Sequence, residues 1–168
     1  GTIPDEDRPS VYFMSMGHID WTGNRNSTGH TRIVEAGGKN IAADLRTTVP
    51  HVDMEWVIEQ DPEIIVYSMS QGQYNSTTPT IEEMKAKRDE IMAIPGFENI
   101  DAVETGQVYI TDIKMASGIS ELATMLYYAK WLHPDLFNDI DPRAVHEELL
   151  ENYFDMDIDG ILQVYPDA

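Results

Sequence analysis

Two short runs of the chain are apolar without interruption. Val11-Tyr-Phe-Met-Ser-Met16 ends at Gly17, and Ile64-Ile-Val-Tyr-Ser68 follows an Asp61-Pro62 break. A strand with one wet face alternates polar and apolar residues, whereas a continuous apolar run of this length suits a strand covered on both faces. Covering both faces takes a layer of helices on each side. Helical segments do separate the strands, so the expected architecture is an α/β fold, a three-layer sandwich around a mostly parallel sheet.

The helices announce themselves by their ends. His30 to Ala36 is closed by Gly37-Gly38, since glycine tolerates the left-handed conformation at a helix C-terminus. Asp53 is a suitable N-cap for a short helix to Gln60. Thr80-Ile-Glu-Glu83 has the pattern of a capping box and opens a helix to about Ile94, broken by Pro95-Gly96. A strand pair is expected around Ala102–Val103 and Val108–Thr111, with Gly106 at the turn. Ser120 to Leu132 carries Leu122, Met125, Leu126, Ala129 and Leu132 at helical spacing. Asp141-Pro142 places proline at the first position of a helix reaching about Phe154. Residues 1–10 read as a linker, 11–160 as one α/β lobe and 161–168 as a tail; a chain of 168 residues is long enough to bury its own core.

Composition narrows the function classes. With 30 acidic against 11 basic residues the net charge is −19, which disfavours binding to nucleic acid phosphates or to an anionic membrane surface. The same charge keeps a domain soluble, or draws cations and basic partners. There is no cysteine, so disulfides and thiolate metal sites are excluded.

In open α/β sheets ligands bind outside the carboxyl ends of the strands. Three polar loops leave those ends: Gly17–Gly29, Met69–Pro79 and Asp112–Gly118. Trp21 and Tyr74 stand in these loops, where an aromatic ring either stacks on a planar or hydrophobic ligand or anchors its own loop. Of the five histidines, His18, His30 and His51 fall near this rim, while His133 and His146 do not; no pair has the spacing of a helical zinc site. Asp155-Met-Asp-Ile-Asp159-Gly160 copies the first half of a calcium-binding loop, but its twelfth position is Pro166, which has no side-chain ligand to offer. Asn26-Ser-Thr28 and Asn75-Ser-Thr77 are glycosylation sequons of the kind that chance produces in such loops. No nucleophile elbow, phosphate-binding loop or dinucleotide fingerprint is present.

Four stretches, in order, resemble the periplasmic binding proteins of the iron-siderophore, haem and cobalamin class. They are His30-Thr-Arg-Ile-Val-Glu-Ala-Gly-Gly-Lys-Asn-Ile-Ala-Ala43, Val52-Asp-Met-Glu-Trp-Val-Ile-Glu-Gln-Asp-Pro-Glu-Ile-Ile-Val66, Ile100-Asp-Ala-Val-Glu-Thr-Gly-Gln-Val-Tyr109 and Leu132-His-Pro-Asp-Leu-Phe137. The third is similar to a hairpin of that family. The resemblance implies one lobe of a two-lobe, extracytoplasmic component of an ABC importer, membrane-anchored or secreted in full-length form. Its N-terminal lobe would lie outside these 168 residues.

It further implies a monomer with no enzyme activity and no cofactor of its own. Its ligand would be a small-molecule metal complex, an iron(III) chelate, haem or cobalamin, passed to a transmembrane permease. The family's docking glutamate matches Glu55. Its ligand-facing positions match the loop holding Trp21 and the segments Val49–His51, Met69–Tyr74 and Asp112–Met115. His51 and Tyr74 are thereby ligand candidates beside Trp21. Arg25 and Lys114 would pair with an anionic chelate, which favours an iron–siderophore complex. Two other classes compete: a lobe of a nitrogenase- or chelatase-like enzyme, which calls for a perturbed titratable pair at the rim, and an acidic calcium-binding or interaction module.

Overall fold

The computed structural model describes residues 3–74, 78–116, 118, 120–154 and 164–166. Five strands form one sheet: β1 (Ser10–Met14), β2 (Lys39–Asn40), β3 (Ile64–Met69), β4 (Val108–Asp112) and β5 (Val164–Tyr165), in the spatial order β2-β1-β3-β4-β5. The first four are parallel and β5 is antiparallel to β4. Among the described residues the α-helices are α1 (Thr28–Glu35), α2 (Met54–Gln60), α3 (Ile81–Met92), α4 (Asp101–Glu104), α5 (Ser120–Leu132) and α6 (Pro142–Phe154).

The two apolar runs are the neighbouring central strands, paired from Val11↔Ile64 to Met14↔Tyr67. Successive side chains enter opposite cores, as the two-residue period of a strand requires. Tyr12, Met14, Ile65, Tyr67 and Met69 join a core with Val57 of α2 and Met84 and Ile91 of α3. Val11, Phe13, Ile64 and Val66 join the other with Ile33 of α1 and Tyr127, Tyr128, Trp131 and Leu132 of α5. All six residues of β3 are buried, which is the both-face burial that its composition predicts.

The chain differs from the sequence reading in four places. Ala102 and Val103 lie in a helix, α4, and no hairpin precedes β4, which pairs in parallel with β3. Long-range contacts decide this: Asp61 ends α2 in the left-handed conformation, φ 43°, and its Oδ1 accepts from the Asp101 amide at 2.9 Å. The Ala102 amide donates to the Pro62 carbonyl at 3.0 Å. On α5 the expected apolar face is only partly right: Ala129 and Leu132 are buried, but Leu122 is 54 % exposed, while Ala123, Thr124, Tyr127, Tyr128 and Trp131 face the core. A bidentate ion pair from Arg32 of α1 to Glu121, at 2.7 and 2.9 Å, holds that orientation. Asp53 occupies the N-cap of α2 but its side chain makes no capping hydrogen bond. Val164 and Tyr165, read as tail, add the edge strand β5. The acidic half-loop Asp155–Gly160 lies outside the described residues.

Elsewhere the caps form as expected. Thr80 Oγ1 accepts from the Glu83 amide and the Glu83 carboxylate accepts from the Thr80 amide, completing the box on α3. Asp141 Oδ1 accepts from the amides of Arg143 and Ala144, capping α6.

His146 on α6 is 1 % exposed and its Nε2 has no hydrogen-bond partner among the described residues. Burial lowers its pKa, against a smaller opposing pull from Glu147. The folded state therefore refuses a proton that the unfolded chain accepts near the ordinary histidine value of about 6.5. This group's stabilisation is complete above that value and is lost as pH falls below it. His146→Leu is expected to flatten the pH dependence of the urea midpoint between pH 7.5 and 5.5 relative to wild type. Parallel curves for the two proteins would rule the mechanism out.

Candidate functional site

The chain passes from β1 outward to β2 and then returns to place β3 on the other side of β1. Strand order therefore reverses between β1 and β3, and at such a switch point the two following loops diverge and leave a crevice at the carboxyl edge. The loop after β1 is built to stand there rigidly. It turns through Met16 at φ 54° and Gly17 at φ 80°, a conformation that glycine adopts without strain. A Cβ on Gly17 would also collide with the Gln73 and Ser70 side chains. The Gly17 amide donates to the Ser68 carbonyl at 2.8 Å, and the Gly17 carbonyl accepts from Tyr67 Oη and Gln73 Nε2, each at 2.7 Å. Tyr12 Oη donates to the Ile19 carbonyl at 2.8 Å. Two core tyrosines thus reach out of the sheet to hold the loop.

Beyond Ile19 the loop forms an extended strap against residues 48–52. The Thr22 amide donates to the Pro50 carbonyl at 3.1 Å, Asn24 to Thr48 at 3.1 Å and Val52 to Asp20 at 2.9 Å, around an antiparallel bridge of Trp21 with His51. This pairing brings three aromatic rings together. His18 stacks on Trp21 with centroids 4.0 Å apart and planes 15° apart, and His51 lies tilted against Trp21 at 4.8 Å. His51 Nδ1 is 3.2 Å from Asp20 Oδ2. Trp21 is half-buried, His18 and His51 are exposed, and Met16 and Val49 show 48 % and 43 % of their surfaces. Exposed apolar side chains beside a stacked aromatic pair form a surface suited to a flat or hydrophobic partner.

The other sequence candidates fall differently. Arg25 is exposed but turned onto the segment after β2, with an ion pair to Asp44 and Nε donating to the Ala43 carbonyl at 3.3 Å. Tyr74 is buried rather than displayed, and its hydroxyl donates to Asp112 Oδ1 at 3.3 Å. The Lys114 amide donates to the same oxygen at 3.1 Å. Asp112, which ends β4, is 1 % exposed and its Oδ2 has no partner among the described residues. Burial raises its carboxyl above the usual range, while Lys114 and Tyr74 pull the other way. Burial, followed by Asp112, raises the Tyr74 hydroxyl. Sequence reasoning placed His18 near the rim and Asp112 in a ligand-facing segment without giving either a role; an acid closing the apolar run Val108–Thr111 is the signal that marks the second.

His30 sits in the first turn of α1 with its Nδ1 3.3 Å from Asn40 Nδ2, apart from the Trp21 cluster. His133 contacts the Gly37 carbonyl. Among the described residues no three His, Cys, Asp or Glu side chains are placed to hold a metal ion. Glu55 is exposed in the first turn of α2, three residues past the end of the strap.

Comparison with known proteins bears on the family and the fold. A family model described as periplasmic binding protein matches residues 2–114. A cobalamin-binding protein of Halobacterium salinarum is 34 % identical over 85 residues, which is 47 % of this chain and 22 % of that protein. Among solved structures, a TroA-like periplasmic binding protein from Veillonella parvula superposes with a TM-score of 0.71 at 24 % identity, over 86 % of this chain and 44 % of that one. The molybdate periplasmic binding protein of Haemophilus influenzae gives 0.69 at 18 % identity, over 93 % and 44 %. The matches thus span under half the length of these relatives. Identities this low speak for the fold alone.

Proposed function

Since the chain belongs to the periplasmic binding protein family, we propose that it is one lobe of the extracytoplasmic component of an ABC importer, which captures a metal complex and delivers it to a permease. The complex is of the iron(III)-chelate, haem or cobalamin class. The observation that carries this reading is the Trp21 cluster: rings and exposed apolar side chains, braced by backbone pairing, at the switch point of a parallel sheet. The family and its structural neighbours are solute-binding proteins rather than enzymes, so the buried Tyr74–Asp112 pair is not read as catalytic machinery. Glu55 is the contact to the permease, and the whole protein is a monomer held outside the cytoplasm.

The test uses the full-length protein that carries this chain. Its thermal stability is screened against cyanocobalamin, haem and ferric hydroxamates, and the complex that stabilises it becomes the probe. Trp21→Ala is expected to weaken binding of that probe by about 1–3 kcal/mol, the range for losing an aromatic stacking contact. The melting temperature should hardly move, because the strap is held by backbone hydrogen bonds that the substitution keeps. Unchanged affinity with a large loss of stability would make Trp21 a packing residue and remove the main support for the site.

A further inference from the structure

We infer that the Trp21 rim selects a metal complex of zero or positive net charge over an anionic chelate, an inference that rests on the binding role proposed above. The cations near the rim are countered by neighbouring acids rather than gathered together as in an anion-binding site. Arg25 is engaged by Asp44, and its Nε is committed to the Ala43 carbonyl. Lys114 lies beside the Asp112 carboxyl, which also accepts from its amide. A further cation, Arg46, is exposed on the segment that follows β2. Against these cations stand the acids Asp20 and Asp44, with Asp53 and Glu55 directly beyond the strap. The chain as a whole carries −19. Its field adds to the local balance and repels an approaching polyanion, most strongly at low ionic strength.

The attractive surface points the same way. Met16, Val49 and the Trp21 ring contribute through apolar contact, which does not depend on ligand charge. The electron-rich face of an indole favours a cation over an anion.

Charge is separated from shape by comparing pairs that share one scaffold, at pH 8 on the full-length protein. The pairs are cyanocobalamin against its amide-hydrolysed carboxylates, ferrioxamine B against its N-succinyl derivative, and haem dimethyl ester against haem. Binding is read by calorimetry in 20 mM and 500 mM NaCl. In the pair that binds, the less anionic member is expected to be tighter by about tenfold at low salt, with the gap narrowing at high salt. Asp44→Asn, which releases Arg25, should reduce the gap. Equal or tighter binding of the anionic member overturns the charge selection and leaves the carrier reading standing. Binding of none of the six overturns both.

Discussion

Trp131→Ala is expected to lower the free energy of unfolding by about 3–5 kcal/mol, the usual cost of deleting a large buried aromatic side chain. Trp131 is 3 % exposed on α5. It stacks on Tyr109 of β4 at 4.3 Å and 12°, and Tyr127 and Tyr128 lie tilted against it at 5.7 and 5.6 Å. The ring therefore joins the sheet to the helix layer that covers one face, and its loss opens a cavity among residues that cannot all collapse into it. Its Nε1 has no partner among the described residues, so the substitution breaks no hydrogen bond and the cost is one of packing. Trp131→Phe keeps an aromatic stack and removes the unpartnered N–H, and should lose far less. A domain of this size is stable by only about 5–15 kcal/mol, so urea denaturation resolves the two variants easily. A cost under about 1 kcal/mol for the alanine variant would show that α5 is held by other contacts.

What the sequence reveals depends on how local the deciding interaction is. The central strands are legible because both-face burial writes itself as an unbroken apolar run, and the capping box of α3 because Thr80 and Glu83 satisfy each other within one turn. Helix α4 is not legible, because its first amide is capped by Asp61, forty residues earlier. The face of α5 is misread because Leu122 fits the helical period as well as Trp131 does. Only the Arg32–Glu121 pair and the aromatic stack decide which side turns inward. At the site, an aromatic in a polar loop marks Trp21, but its companionship with His51 rests on backbone pairing across thirty residues. The same reasoning places Tyr74 on the rim, and the structure folds it inward onto Asp112. A loop residue's polarity gives its neighbourhood and leaves its direction to tertiary contacts.

The remaining expectation concerns transport, where Glu55→Arg in the full-length protein should reduce uptake by roughly tenfold or more in vesicles containing the cognate permease. Glu55 projects from the first turn of α2 and is exposed, so its carboxylate is available to a basic partner. Helix α2 begins directly after the strap: the Val52 amide donates to the Asp20 carbonyl, and Asp53 and Met54 follow before Glu55. Glu55 therefore follows directly on a braced segment that pairs with the Trp21 loop. An ion pair at the rim of a protein interface sets encounter rate and register more than it sets the fold of either partner. Glu55→Ala should accordingly leave ligand affinity and melting temperature near wild type while uptake falls. Glu55→Arg should fall further, because it adds like-charge repulsion against the basic surface that a docking carboxylate would meet. The deficit of the alanine variant should shrink as salt rises, since screening weakens the wild-type attraction as well. Normal transport by both variants would reduce Glu55 to an acid favoured by the helix dipole in a first turn. The permease contact would then have to be sought on another face of the lobe.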